Sequence, residues 1–226
     1  MPARTPILAA IGILLVVLLA VGVTIDATDA FDQAVLEFIQ SGGPTGGLAV
    51  LDPITELGST AAVTVIAIAC LVIGAAIGPW RHGVIGAAVI GLTALGVELI
   101  KAVVGRDRPE ILEPIVEERG FSFPSGHATL SMTAYGVLTV LIWRSRLPRA
   151  AKICATVAVV VIILAVGVSR VWLGVHFPVD VLAGWLIGAV IVLLYADLTR
   201  GVTRAPAAGA ADADRAAQRS DPPAAG

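Results

Sequence analysis

The stretch Phe123–Met132, FPSGHATLSM, sets a proline, a serine, a glycine and a histidine at the head of an apolar run that continues to Trp143. Its reading decides the fold. The run behind it approaches membrane length, so polar residues at its mouth need a partner other than lipid. Pro124 followed by Ser125 marks a helix start with Ser125 as N-cap, which leaves the N–H groups of Gly126 and His127 without intrahelical acceptors. Such a helix end attracts anions through its dipole and its free donors, and Gly126 lets an oxyanion approach closely.

The rest of the 226 residues agrees with a membrane setting. Hydrophobic residues make up 57% and charged residues 14% of the chain, too few polar groups to cover a water-soluble globule. The net charge of -2 carries no basic stripe, so no nucleic-acid partner is expected. Apolar runs near 7–25, 57–78, 83–104, 126–143, 151–168 and 179–198 each approach the ~20 helical residues that cross a hydrocarbon core ~30 Å thick. The expected fold is therefore all-α, an integral membrane bundle of six transmembrane helices. The first run has a longer apolar core than a usual signal segment and no A-x-A site before Phe31, so it reads as a retained anchor; a cleaved signal would leave five spans.

Residues 1–200 are expected to form the membrane domain. The Ala-, Pro- and Asp-rich residues 201–226 have no apolar period and are expected to form a disordered cytoplasmic tail. Cys70 and Cys154 lie in apolar runs and read as packing residues. The segment Asp29–Gln40 reads as a short helix on the outer surface and Gly42–Gly47 as a loop, neither with assigned chemistry.

Orientation follows from the 15 Lys and Arg residues. With the N-terminus inside, Arg4, Arg81, Arg144, Arg146, Arg149, Lys152, Arg200, Arg204, Arg215 and Arg219 fall on the cytoplasmic side. Lys101, Arg106, Arg108, Arg119 and Arg170 fall outside, a division of ten to five that favours both termini in the cytoplasm.

This topology gathers three polar clusters at the extracytoplasmic ends of spans three to six: KAVVGRDRP at 101–109, PSGH at 124–127 and SRVWLGVHFPVD at 169–180. Lys101, Arg108 and Arg170 are cations at or near membrane depth, where an unpaired charge is costly, and three of them around one pocket suit a phosphate. Pro178 suits the first turn of the sixth span, with His176 just ahead of it. Asp180 can then reach back to one ring nitrogen, fix the tautomer and free the other nitrogen to attack. His127 becomes the second histidine of the site: one attacks phosphorus, the other protonates the leaving oxygen. The clusters supply this chemistry without a metal or another cofactor.

Other polar residues have simpler readings. Arg106 and Arg119 have surface partners nearby in Asp107, Glu117 and Glu118; Glu98 pairs with Lys101; His82 beside Arg81 is a loop residue. Trp80, Trp143, Trp172 and Trp185 mostly fit an interfacial belt, with Trp172 also able to touch a lipid substrate. The Gly74–Gly78 and Gly184–Gly188 spacings suit helix packing.

These residues resemble the type 2 phosphatidic acid phosphatase family of membrane lipid phosphatases. Its signature, K-x6-RP, then PSGH, then SR-x5-H-x3-D, is met in order by Lys101 with Arg108–Pro109, Pro124–His127, and Ser169–Arg170 with His176 and Asp180. The resemblance implies that His176 is the nucleophile forming a phosphohistidine, Asp180 its partner and His127 the acid. It also implies that Lys101, Arg108, Ser125, Gly126 and Arg170 hold the phosphate of a lipid phosphate substrate. Vanadium-dependent haloperoxidases share the signature, but those relatives are soluble.

The motifs read only the phosphate. An outward site and a short loop from Glu110 to Phe123 favour a polyprenyl diphosphate of the undecaprenyl type, with phosphatidate or phosphatidylglycerophosphate as the alternative. A phosphotransferase using the same intermediate, or a lipid-phosphate binder without hydrolysis, stands as the reading from another class.

Overall fold

The computed structural model describes residues 4–41, 48–77, 80–109 and 118–202. The expected loop at Gly42–Gly47, the acids Glu110, Glu113 and Glu117, and the tail from residue 203 onward lie outside the described residues. Among those described there are eight helices: α1 Arg4–Thr24, α2 Asp29–Ser41, α3 Leu48–Glu56, α4 Thr60–Ile77, α5 Arg81–Val104, α6 Gly126–Arg144, α7 Arg149–Trp172 and α8 Pro178–Val202. Four are long and apolar enough to cross a membrane, namely α1, α5, α7 and the stretch Pro178–Arg200 of α8.

The two other expected spans depart from that standard for different reasons. α4 is apolar over Thr60–Ala76 and is simply shorter. α6 is more polar because it is the central helix, packed against α4, α5, α7 and α8, and so need not present an apolar surface to lipid. Its hydroxyls are satisfied within the helix: Thr129 Oγ1 donates to the Ser125 carbonyl (2.8 Å) and Thr133 Oγ1 to the Thr129 carbonyl (2.9 Å). Local back-bonding of this kind lets Ser and Thr sit inside an apolar bundle.

Around α6 the apolar surface is turned outward. Leu92, Leu95, Leu99 and Val103 on α5, and Val157, Val161 and Leu164 on α7, are exposed, a coat suited to hydrocarbon rather than water. Inside, Val63, Cys70, Ile90, Val137, Leu141 and Tyr195 form a core shared by α4, α5, α6 and α8. Cys70 is buried, Cys154 is exposed and both are free thiols.

Close approach of helices depends on glycines from the two spacings read in the sequence, of which Gly78 lies outside the described residues. A Cβ on Gly74 would stand 2.5 Å from the backbone of Gly83, and one on Gly188 would stand 2.6 Å from Met132. Trp185 departs from the interfacial reading: it packs against Gly167 of α7 and with Tyr135, Val159 and Ile163. His82 departs from its loop reading. It is buried in the first turn of α5, with its carbonyl accepting from Tyr195 Oη at 3.0 Å and Arg144 3.4 Å from its Nδ1. Thr5 meets Asp197 at that same end of the bundle, opposite the three motif clusters.

Candidate active site

The far end of the bundle collects all three motifs. α5 stops at Gly105, whose φ of +65° is the left-handed conformation that closes a helix, with its N–H donating to the Lys101 carbonyl at 2.9 Å. That reversal brings Arg106 and Arg108 back over the helix ends. Arg108 is clasped by loop carbonyls, its Nε donating to Gly120 (3.0 Å) and an Nη to Val175 (2.8 Å). Lys101, one turn earlier, is largely buried and lies 3.9 Å from Glu98.

Ser125 caps α6 as expected, its hydroxyl accepting the Ala128 N–H at 3.5 Å. The same residue's N–H donates to the Asp180 carbonyl at 3.0 Å, which ties the start of α6 to the first turn of α8. Ser125 is fully buried and serves this junction. Gly126 and His127 line a cavity of about 350 Å³ together with Lys101, Arg108 and His176.

His176 occupies the turn between α7 and α8 and is 1% exposed. Burial, opposed by the Asp180 carboxylate, pulls its pKa down to about 4, so the ring is neutral and its lone pair available near neutral pH. Asp180 sits behind it. One carboxylate oxygen, Oδ2, accepts the Phe177 N–H at 2.9 Å and lies 3.5 Å from His176 Nδ1, a buried nitrogen with no closer partner among the described residues. The other ring nitrogen, Nε2, faces the cavity and Arg108 at 3.4 Å.

Asp180 is itself held by a residue that the sequence reading left on the surface. Arg106 donates to Asp180 Oδ1 at 2.8 Å and to Asp32 Oδ2 at 2.7 Å, and lies over the Phe177 ring at 4.0 Å. Its burial lowers its pKa, but the two carboxylates outweigh that and raise it overall. Asp32 is fully buried; desolvation raises its pKa, and its second oxygen accepts the Val179 N–H at 3.1 Å. Arg106 and the α2 segment are therefore part of the site's support. The signal for Asp32 was present: it shares an i, i+3, i+4, i+7 face with Val35, Leu36 and Ile39, where a charge has no reason to sit unless it is paired.

Arg170, also buried, donates to Thr55 Oγ1 of α3 at 2.7 Å and keeps its Nε without an acceptor among the described residues. Its remaining Nη pairs with Glu118, another residue read as a surface partner. The Glu118 carboxylate also lies 2.9 Å from Arg108, 3.8 Å from His176 Nε2 and 4.0 Å from His127 Nδ1. Both histidines and both arginines thus converge on one anionic group. Such a set can bind an anion, present a neutral imidazole to it and offer a second imidazole for proton transfer.

Fold and pocket together define an all-helical membrane protein with a pocket lined by cationic and histidine side chains at one end of its bundle. Residues 82–204 match the model of the PAP2 superfamily, and the chain belongs to that superfamily. It is 34% identical over 150 residues, 64% of its length and 71% of the relative's, to phosphatidylglycerophosphatase B of Bacillus subtilis. It is 39% identical over 84 residues to an undecaprenyl-diphosphatase of Sulfolobus acidocaldarius, a match covering 37% of this chain and 35% of that one. Among solved structures, the transmembrane PAP2-type phosphatidylglycerolphosphate phosphatase of Bacillus subtilis superposes with a TM-score of 0.77 at 27% identity, over 88% of this chain and 98% of the other.

Proposed function

We propose that the chain is an integral membrane lipid phosphatase acting through a phosphohistidine at His176. The observation that carries the reading is the aim of His176: Nε2 faces an anion held by Arg108 and Arg170, while the Asp180 carboxylate lies behind Nδ1. Nε2 attacks phosphorus as the bond to the lipid oxygen breaks, and His127 gives that oxygen a proton. Water then attacks the phosphorus of the phosphohistidine, His127 takes the water's proton, and the N–P bond breaks to release phosphate. Lys101, Arg108, Arg170 and the N–H groups of Gly126 and His127 stabilise the equatorial oxygens. Ser125 fixes the helix end that presents those N–H groups.

In the bilayer, α1 and α4 to α8 supply six crossings, with the buried α6 shielded by its neighbours. The larger number of Lys and Arg residues assigned to the cytoplasmic side favours both termini in the cytoplasm and the site on the extracytoplasmic side; α8 continues to Val202, which leaves 203–226 for the proposed cytoplasmic tail. For that placement a polyprenyl diphosphate is the first substrate proposed. Phosphatidylglycerophosphate is the second, favoured by the broad likeness to the Bacillus subtilis phosphatase.

Phosphate release by the purified protein in detergent, with EDTA present, tests the reading on undecaprenyl diphosphate, phosphatidate and phosphatidylglycerophosphate beside His176→Ala. Release that survives the chelator and disappears in the variant is expected, and the preferred lipid identifies the substrate class. No release from any lipid, or unchanged release by the variant, would overturn it.

A further inference from the structure

Glu118 stands where a substrate phosphate has to go. A phosphorus under attack by His176 lies roughly 3–3.5 Å from the nucleophilic nitrogen, and Glu118 Oε2 lies 3.8 Å from His176 Nε2. The same carboxylate spans Arg108 at 2.9 Å and pairs with Arg170, the two arginines that would grip the phosphoryl oxygens. Carboxylate and phosphate cannot fill this space together, so Glu118 has to withdraw before substrate binds. Its position permits withdrawal. The side chain is 22% exposed, and it enters from the loop side of the cavity rather than from a helix.

We propose that Glu118 is a built-in competitor that occupies the phosphate cradle between turnovers and sets a threshold affinity that an incoming headgroup must exceed. The inference rests on the phosphatase reading for its biological meaning. Buried Arg170 and largely buried Arg108 would be costly to leave without a counter-ion, and the resident carboxylate keeps them paired while the site is empty. An incoming anion then binds with its intrinsic affinity reduced by the fraction of molecules in which the cradle is open. If that fraction is roughly a tenth, every anion binds roughly tenfold more weakly. A phosphomonoester, with about -1.5 to -2 charge and three free oxygens, still displaces a carboxylate. The phosphodiester headgroups of bulk membrane lipids, with a single charge, fall below the useful range.

The test uses inorganic phosphate and dimethyl phosphate as probes of the full chain in detergent, comparing wild type with Glu118→Gln. The readouts are the rise in Tm with probe concentration and inhibition of lipid turnover. In the variant both probes are expected to half-saturate at roughly tenfold lower concentration, and dimethyl phosphate, nearly inert on wild type, to become a measurable ligand. Equal half-saturation in the two proteins, or weaker binding in the variant, would overturn the proposal. Glu118→Asp, which keeps the charge but shortens its reach, is expected to shift both probes in the same direction and serves if the Gln variant does not fold. The Tm readout needs no turnover. A wild type that releases no phosphate from lipid while the variant binds phosphate more tightly would sink the phosphatase reading and leave the competitor standing.

Discussion

Asp180 gives one carboxylate oxygen to the Phe177 N–H, with His176 Nδ1 just beyond, and the other to Arg106, so the direction of the ring proposed as nucleophile depends on a residue that lies behind it. Arg106 is in turn pinned by Asp32. Arg106 and Asp32 are positioning residues, and Asp32→Asn should slow turnover without weakening the grip on phosphate. The expected loss in kcat is roughly 10-fold, the low end of the ~10- to 100-fold range for outer partners of metal-bound histidines, because Asp32 reaches His176 only through Arg106 and Asp180; KM and the phosphate-induced rise in Tm should be little changed. A variant that lost phosphate binding and kcat together would show a general collapse of the site instead. At this scale the sequence was legible where chemistry and spacing coincide: the motif residues Lys101, Arg108, His127, His176 and Asp180 meet at one end of the bundle. It misled where proximity in sequence stood in for proximity in space. Arg106 has Asp107 beside it, yet it turns to partners 74 residues away in each direction.

Helix α8 approaches the start of α6 closely because Gly184 has no side chain. A Cβ there would lie 2.9 Å from both the Ser125 carbonyl and Thr129 Oγ1, and the carbonyl cannot yield without moving the helix end that presents Gly126 and His127. Gly184→Val should therefore lower Tm, by overpacking worth about 1–3 kcal/mol, and cut activity by roughly tenfold or more, since a helix-end shift of about 1 Å misplaces reacting groups. Gly96→Ala is the matching control, because a Cβ at Gly96 meets nothing within 4 Å; its activity and Tm should match wild type. Equal losses in both would mean that helix flexibility, not the α6–α8 contact, is what matters. The small-residue spacing at 184–188 was readable as a packing motif, but its closeness to the site was not, because the spacing says nothing about the partner. α3 was missed for a related reason: Leu48–Glu56 contains Pro53 and is too short to stand out as a span, yet its Thr55 holds Arg170.

For the molecule as a whole, composition pointed to the environment and continuous apolar runs to the positions of the long helices. Hydropathy ranks helices by their exposure to lipid, so it describes α1, α5 and α7 well and undervalues α6, whose neighbours cover it. The arrangement that results is a bundle with the proposed anion site at one end, where neutral His176 faces the pocket with a carboxylate behind it. The central claim is that His176 becomes covalently phosphorylated. Rapid acid quenching of the protein during turnover of a phosphate-labelled lipid, followed by peptide mapping, tests it most directly. Protein-bound label is expected on the peptide carrying His176, absent in His176→Ala. Steady turnover with no labelled protein at any quench time, or label on another residue, would contradict it.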